Sequence, residues 1–171
     1  MSTVITKQPS EKWPVAIDFT GQLPEGVTLQ SGTVIAANLA KSQVTTLAAG
    51  SAAGATTLSL PLNPGIGAVL KIDQGLASRE EAQVKEVAGS GPYTVTLTAP
   101  LEQAHALNAT VTYYPGTTTI LDGTAVTIAG DRASAKIKGG QHGVVYLVTL
   151  LLILSDNSAL EEDFMVQVKH A

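Results

Sequence analysis

Cysteine is absent from the 171 residues. That excludes a disulfide framework, a zinc ribbon and a thiol nucleophile, and leaves stability to packing and to partners. Charge is scarce, at 14% of residues, and ten Lys and Arg stand against fourteen Asp and Glu. With a net charge of −4 and no basic run, the chain lacks the electrostatic footprint of duplex nucleic acid binding. The one extended apolar run, Val144 to Leu154, is about half the ~20 residues that a membrane-spanning helix needs. Thr149 interrupts it, and Gly143 and Ser155 bound it, so no membrane partner is expected. No charged segment precedes an apolar core near Met1, so no signal peptide is expected. No stretch carries a capped helical period, and only Leu101 to Leu107 has room for a single turn. Reactive motifs are missing as well. There is no Gly-x-Ser-x-Gly elbow, no Gly-x-x-x-x-Gly-Lys-Ser/Thr loop and no His-x-x-x-His or His-x-His spacing. His105, His142 and His170 fall in separate segments. The expectation is no catalytic residue, no metal site and no cofactor, hence no enzyme.

What is present is apolar and β-forming. Residues of the apolar class make up 44% of the chain, enough for a genuine core. Trp13, Val15, Ile17 and Phe19 alternate with Pro14, Ala16, Asp18 and Thr20, the period-2 signature of a half-buried strand. Pro14 offers no donor and places this strand at a sheet edge. Val27 to Ala37 predicts one or two strands, and Val144 to Leu154 a strand buried on both faces. A polar turn at residues 155–158 leads to a last strand with Phe164, Val166 and Val168 on one side. Thr117 to Leu121, Ala125 to Ile128 and Ser134 to Ile137 read as short strands separated by Asp122-Gly123 and Gly130-Asp131.

Between these flanks lies a different texture. Lys41 to Ala55 is rich in Ala, Gly, Ser and Thr and reads as a flexible crossover. Thr57 to Leu60, Ala68 to Ile72, Glu81 to Val87, Tyr93 to Thr98 and Thr110 to Tyr114 are five short strands with tight turns, the pattern of a small barrel. The domain reading is therefore residues 42–115 as an inserted small β-barrel. Residues 1–41 and 116–171 form one discontinuous domain, with 1–12 a polar arm. Neither flank can bury a core alone, and together they approach the ~100 residues of one immunoglobulin-like sandwich. The predicted fold is all-β, an immunoglobulin-like β-sandwich with an inserted barrel. Tyr146, near the start of the penultimate strand, is placed either to bond back to the backbone as a tyrosine corner or to serve as an ordinary core residue.

The flanks also carry a motif set. Lys7-Gln8-Pro9, Ile17-Asp18-Phe19 and Leu23-Pro24-Glu25-Gly26 open the chain. Gly139-Gly140-Gln141-His142-Gly143, then Tyr146-Leu147-Val148-Thr149, then Glu161-Glu162-Asp163-Phe164-Met165-Val166-Gln167-Val168 close it. Over about the first 40 and last 55 residues this resembles a family of tailed-bacteriophage virion proteins, the fibre–tail adaptor type. The resemblance implies a structural role in the virion and partners among tail, neck, fibre or major capsid proteins. It implies a homo-oligomer in a symmetric array, held by multivalent contacts. A capsid decoration or cement protein is the nearest alternative, and a carbohydrate-binding module for host adhesion a second. No interface residue is assigned by the sequence.

The remaining chemistry-bearing groups have bland readings. Arg79-Glu80-Glu81 and Glu161-Glu162-Asp163 are acidic clusters whose successive side chains would point to opposite faces of a strand, which suits a solvated turn or an edge better than a glycosidase pair. Asp156-Asn157 fails the EF-hand spacing. Trp13 and Phe19 suit a sugar-stacking platform less well than a core.

Overall fold

The computed structural model describes residues 3–169, and every regular element among them is a β-strand. In chain order these are β1 (Thr3–Lys7), β2 (Lys12–Asp18), β3 (Leu29–Asn38), β4 (Gln43–Thr46), β5 (Thr57–Leu60), β6 (Val69–Ile72) and β7 (Glu80–Ala88). They continue with β8 (Tyr93–Leu97), β9 (Thr110–Tyr114), β10 (Thr127–Ala129), β11 (Arg132–Lys138), β12 (Val145–Leu154) and β13 (Ala159–Val168). The chain divides into two compact units, Met1–Ala36 with Thr118–Ala171, and Ala37–Thr117.

In the first unit a four-stranded sheet, β1-β13-β12-β3, and a three-stranded sheet, β10-β11-β2, enclose one hydrophobic core. Phe19, Val34, Ala135, Ile137, Tyr146, Leu150 and Phe164 are among its buried members. Strand β2 follows its pattern, with Trp13, Val15 and Ile17 half-buried and Lys12, Pro14, Ala16 and Asp18 exposed. Pro14 faces Lys136 of β11, and among the described residues no strand pairs beyond β2, as the missing donor requires. Strands β12 and β13 form a long antiparallel hairpin from Ile153↔Ala159 to Val145↔Gln167. Its turn is held by the Asp156 carboxylate, which accepts from the Ser158 backbone N–H at 2.9 Å and hydroxyl at 2.6 Å.

Several expectations are corrected here. Residues 3–7 are not a free arm but strand β1, paired parallel to β13 from Thr3↔Phe164 to Lys7↔Val168. Polar composition hides it, although Ile5 packs against the core and Lys7 is buried. Strand β12 is fully buried on one face only. Tyr146, Val148, Leu150, Leu152 and Leu154 join the core, whereas Leu147 and Leu151 are half-buried and Ile153 is exposed. The cause is that a single face of this sheet meets the shared core. Thr117 to Leu121 is not a strand, and of Ala125 to Ile128 only Thr127 and Ile128 fall in β10, with an isolated bridge at Thr33↔Ala125.

The second unit is a six-stranded half-barrel, in the order β4-β9-β6-β7-β8-β5. Its own core gathers Leu47, Leu58, Leu60, Leu70, Ile72, Val84, Val95, Leu97, Val111 and Tyr113. The flexible crossover expected at 41–55 contains β4, anchored to β9 by the ladder Gln43↔Tyr113 to Thr46↔Thr110 and by the Tyr113 hydroxyl donating to Gln43 Oε1 at 2.7 Å. Just past β4, the Ala48 N–H reaches Ser59 O of β5 at 2.8 Å and draws the two edge strands together. The Ala37↔Gly116 bridge marks where the chain enters and leaves. A Cβ on Gly116 would overlap the Ile66 carbonyl, so only glycine fits there. Leu101 to Leu107 forms no helical turn and instead bridges Ser51 at His105.

Candidate binding surfaces and buried polar clusters

Three groups of side chains stand out, and each is assembled from segments remote in sequence. The first lies in the unit of β1 and β12. Lys7 is 2% exposed, and its ammonium donates to Gly139 O and Gln8 O at 2.6 Å each. Burial pulls its pKa below the usual lysine value, against the opposing pull of Glu11. The next residue after Gly139, Gly140, sits at φ +90°, where a Cβ would come within 2.7 Å of Val168 and 2.9 Å of Ile120. The Tyr146 ring packs over that glycine, and its hydroxyl accepts the Gln141 N–H at 3.0 Å. Tyr146 is both a buried core residue and bonded back to the backbone through its hydroxyl. The Lys7-Gln8-Pro9 and Gly139-Gly140 motifs are thus parts of one polar clasp.

The second group is in the half-barrel. His105 has no exposed side-chain surface, and its Nδ1 lies 2.9 Å from Asp73 Oδ2 and its Nε2 3.0 Å from Glu80 Oε2. Both ring nitrogens face carboxylate oxygens, an arrangement that favours the doubly protonated ring. Burial opposes that charge, but the bonds and charges of Asp73 and Glu80 prevail and raise the pKa above the usual histidine value. Burial likewise pushes Glu80 up, yet the N–H groups of Glu102 and Gln103 and the His105 ring outweigh it and hold the carboxyl below its usual range. Asp73 also accepts from the Ser78 hydroxyl at 3.2 Å. The cluster pins the loop after β8 to the end of β6 and the start of β7. It cannot serve as a base toward solvent, because no ring lone pair is free and the ring is inaccessible.

Other candidates resolve as follows. Glu81 points away from Glu80 and pairs with Lys71 at 3.3 Å, as opposite faces require. Glu80 is no edge residue, since β7 lies between β6 and β8. Asp156 is occupied by its own turn. Trp13 packs against the core and Phe19 is 1% exposed, so they form no open stacking platform. His142 is exposed and His170 lies outside the described residues. Among the described residues no group of three or more His, Asp or Glu side chains is placed to hold a metal ion, and no helix is long and apolar enough to cross a membrane.

The third group is on the outer faces of the first unit. The three-stranded sheet presents Lys12 beside Lys138, Lys136 beside Pro14, and Arg132 beside Asp18. Lysines directly opposite on paired strands repel. Asp122 bridges them, at 2.5 Å from Lys12 and 3.0 Å from Lys138, and these two partners hold its carboxyl down to about 2. Four of the ten basic residues therefore share one face, although no two of them are adjacent in sequence. The outer face of the four-stranded sheet is of opposite character. There Val4, Leu147, Met165, Leu151 and Ile153 surround Glu161 and Asp163, with Asp163 accepting from the Thr149 hydroxyl at 2.6 Å.

Comparison with models of protein families finds no match, and comparison with curated proteins finds none either.

Proposed function

We propose that the chain is a structural protein of a tailed-bacteriophage virion, of the fibre–tail adaptor type. In this reading the unit of 1–36 and 118–171 is an immunoglobulin-like sandwich, and 37–117 is an inserted small β-barrel. The observation that carries it is the clasp in which Lys7 bonds Gly139 while Tyr146 covers Gly140. Three parts of the motif set, Lys7, Gly139-Gly140 and Tyr146, come from the two ends of the chain and meet in one clasp. A Tyr146 hydroxyl bonded back to the backbone is also a habit of immunoglobulin-like sandwiches.

The mechanism is rigid attachment. Buried polar pins fix the loops, so binding costs little further ordering. Flat sheet faces supply modest contact area, and repetition around a ring or shell multiplies modest affinities through avidity. Locating the protein in purified particles by cryo-electron microscopy tests this reading. Density at the tail, neck or fibre attachment is the expected result. Density on the capsid lattice would replace it with the decoration reading, and absence from particles would end both.

A further inference from the structure

We infer that the two outer faces of the first unit dock on each other between copies, the basic face of one chain against the acidic, apolar face of the next. The three-stranded face carries Lys12, Arg132, Lys136 and Lys138 against Asp18 and Asp122, which leaves two positive charges over. Between them lie the small or apolar residues Pro14, Ala16 and Ser134. On the four-stranded face, Glu161 and Asp163 stand exposed in the first half of β13, and Lys169 lies beyond the strand's end. Around them Val4 is 55% exposed and Ile153 37%. Carboxylates set among exposed apolar side chains complement a surface that is cationic and flat, which the other sheet of the same fold supplies.

The geometry sets the kind of assembly. The two faces lie on opposite sides of one core, so docking is head-to-tail and leaves one free face at each end. Such heterologous contacts close into rings or extend as stacks. A four-stranded face with strands about 4.8 Å apart and up to ten residues long offers on the order of 500 Å². That is below the ~800 Å² per partner of a standard interface. Each contact is therefore weak and reversible in solution, and gains strength by closure or on a symmetric platform. Opposed charge contributes register and selectivity, and salt weakens it.

The inference rests on the virion reading for its biological setting, but its test uses the purified chain alone. Failure in solution is then distinguishable from absence in particles. Sedimentation velocity is measured over a concentration series at low and high salt, for the wild-type chain, Lys136→Glu, Glu161→Lys and an equimolar mixture of the two variants. The expected result is reversible association of the wild type that weakens with salt. Each single variant should associate at least about tenfold less well, because like charges then face each other across the contact. The mixture should regain association, since the carboxylate introduced at position 136 in one variant meets the ammonium introduced at position 161 in the other. Lys136→Gln and Glu161→Gln provide milder versions, and circular dichroism checks that every variant is folded. A wild type that stays monomeric, variants that associate unchanged, or a mixture no better than its parts would overturn the inference. Duplex DNA binding lost in Lys136→Glu, with no self-association, would overturn it in favour of a nucleic-acid partner.

Discussion

Replacing His105 by alanine removes the donor from two carboxylates at once. In the half-barrel the ring is wholly enclosed and bonds Asp73 and Glu80 at 2.9 and 3.0 Å. Deleting one member of a buried charged cluster costs about 3–5 kcal/mol, because the partners stay buried without their counter-charge. Here Glu80 retains the Glu102 and Gln103 N–H groups and Asp73 retains the Ser78 hydroxyl, which places the cost near the lower end, about 3 kcal/mol. For a unit of this size about 1 kcal/mol moves the melting temperature by roughly 4–8 °C, so His105→Ala should lower it by more than about 10 °C. The assay is thermal unfolding followed by far-ultraviolet circular dichroism, with Trp13 fluorescence as a separate report on the other unit. The pH dependence gives an independent sign. A histidine whose folded pKa is raised contributes stability that is fully present below its unfolded value of 6.5 and is lost as pH rises through the folded value. Wild-type stability should therefore decline as pH rises above 6.5, and His105→Ala should lack that component. A variant melting within about 2 °C of wild type, or one keeping the same decline, would refute the pin.

In the clasp, Tyr146→Phe should lose about 1 kcal/mol by equilibrium denaturation, the worth of its hydrogen bond to Gln141; no loss would remove the corner as a stabilising element. Leu152→Asp should fail to fold or stay insoluble, since Leu152 is 0% exposed and a lone buried carboxylate costs several kcal/mol; a soluble, cooperatively folding variant would contradict its place in the core. Asp122, held down to about 2 by Lys12 and Lys138, contributes stability present above its unfolded value of 3.8 and lost as pH falls toward 2. An acid titration of Asp122→Asn should lack that part of the wild-type decline.

The elements legible in the sequence are those whose burial is local and periodic. The alternation from Trp13 to Phe19 maps directly onto β2, and Phe164, Val166 and Val168 onto the inner face of β13. The run from Val144 to Leu154 announces a strand but not its exposure, because apolar residues on an outer face look like those in a core. Strands β1 and β4 escape notice for the opposite reason. Both are short and rich in Thr, and their ladders are set by partners far along the chain, β13 and β9. The His105 cluster draws on residues 25 and 32 positions away, with no spacing to advertise it. The basic face is hidden because Arg132, Lys136 and Lys138 alternate with buried Ala133, Ala135 and Ile137, and Lys12 joins them only through the β2–β11 register.

The central claim is that the chain builds a phage particle by repetition. Its most direct test is quantitative mass spectrometry of purified tailed-phage particles whose genome encodes the chain, read beside the infected-cell cytosol. The account predicts many copies per particle, in a number that matches a ring or shell symmetry. A chain found only as a free cytosolic monomer, and absent from the particles, would contradict it.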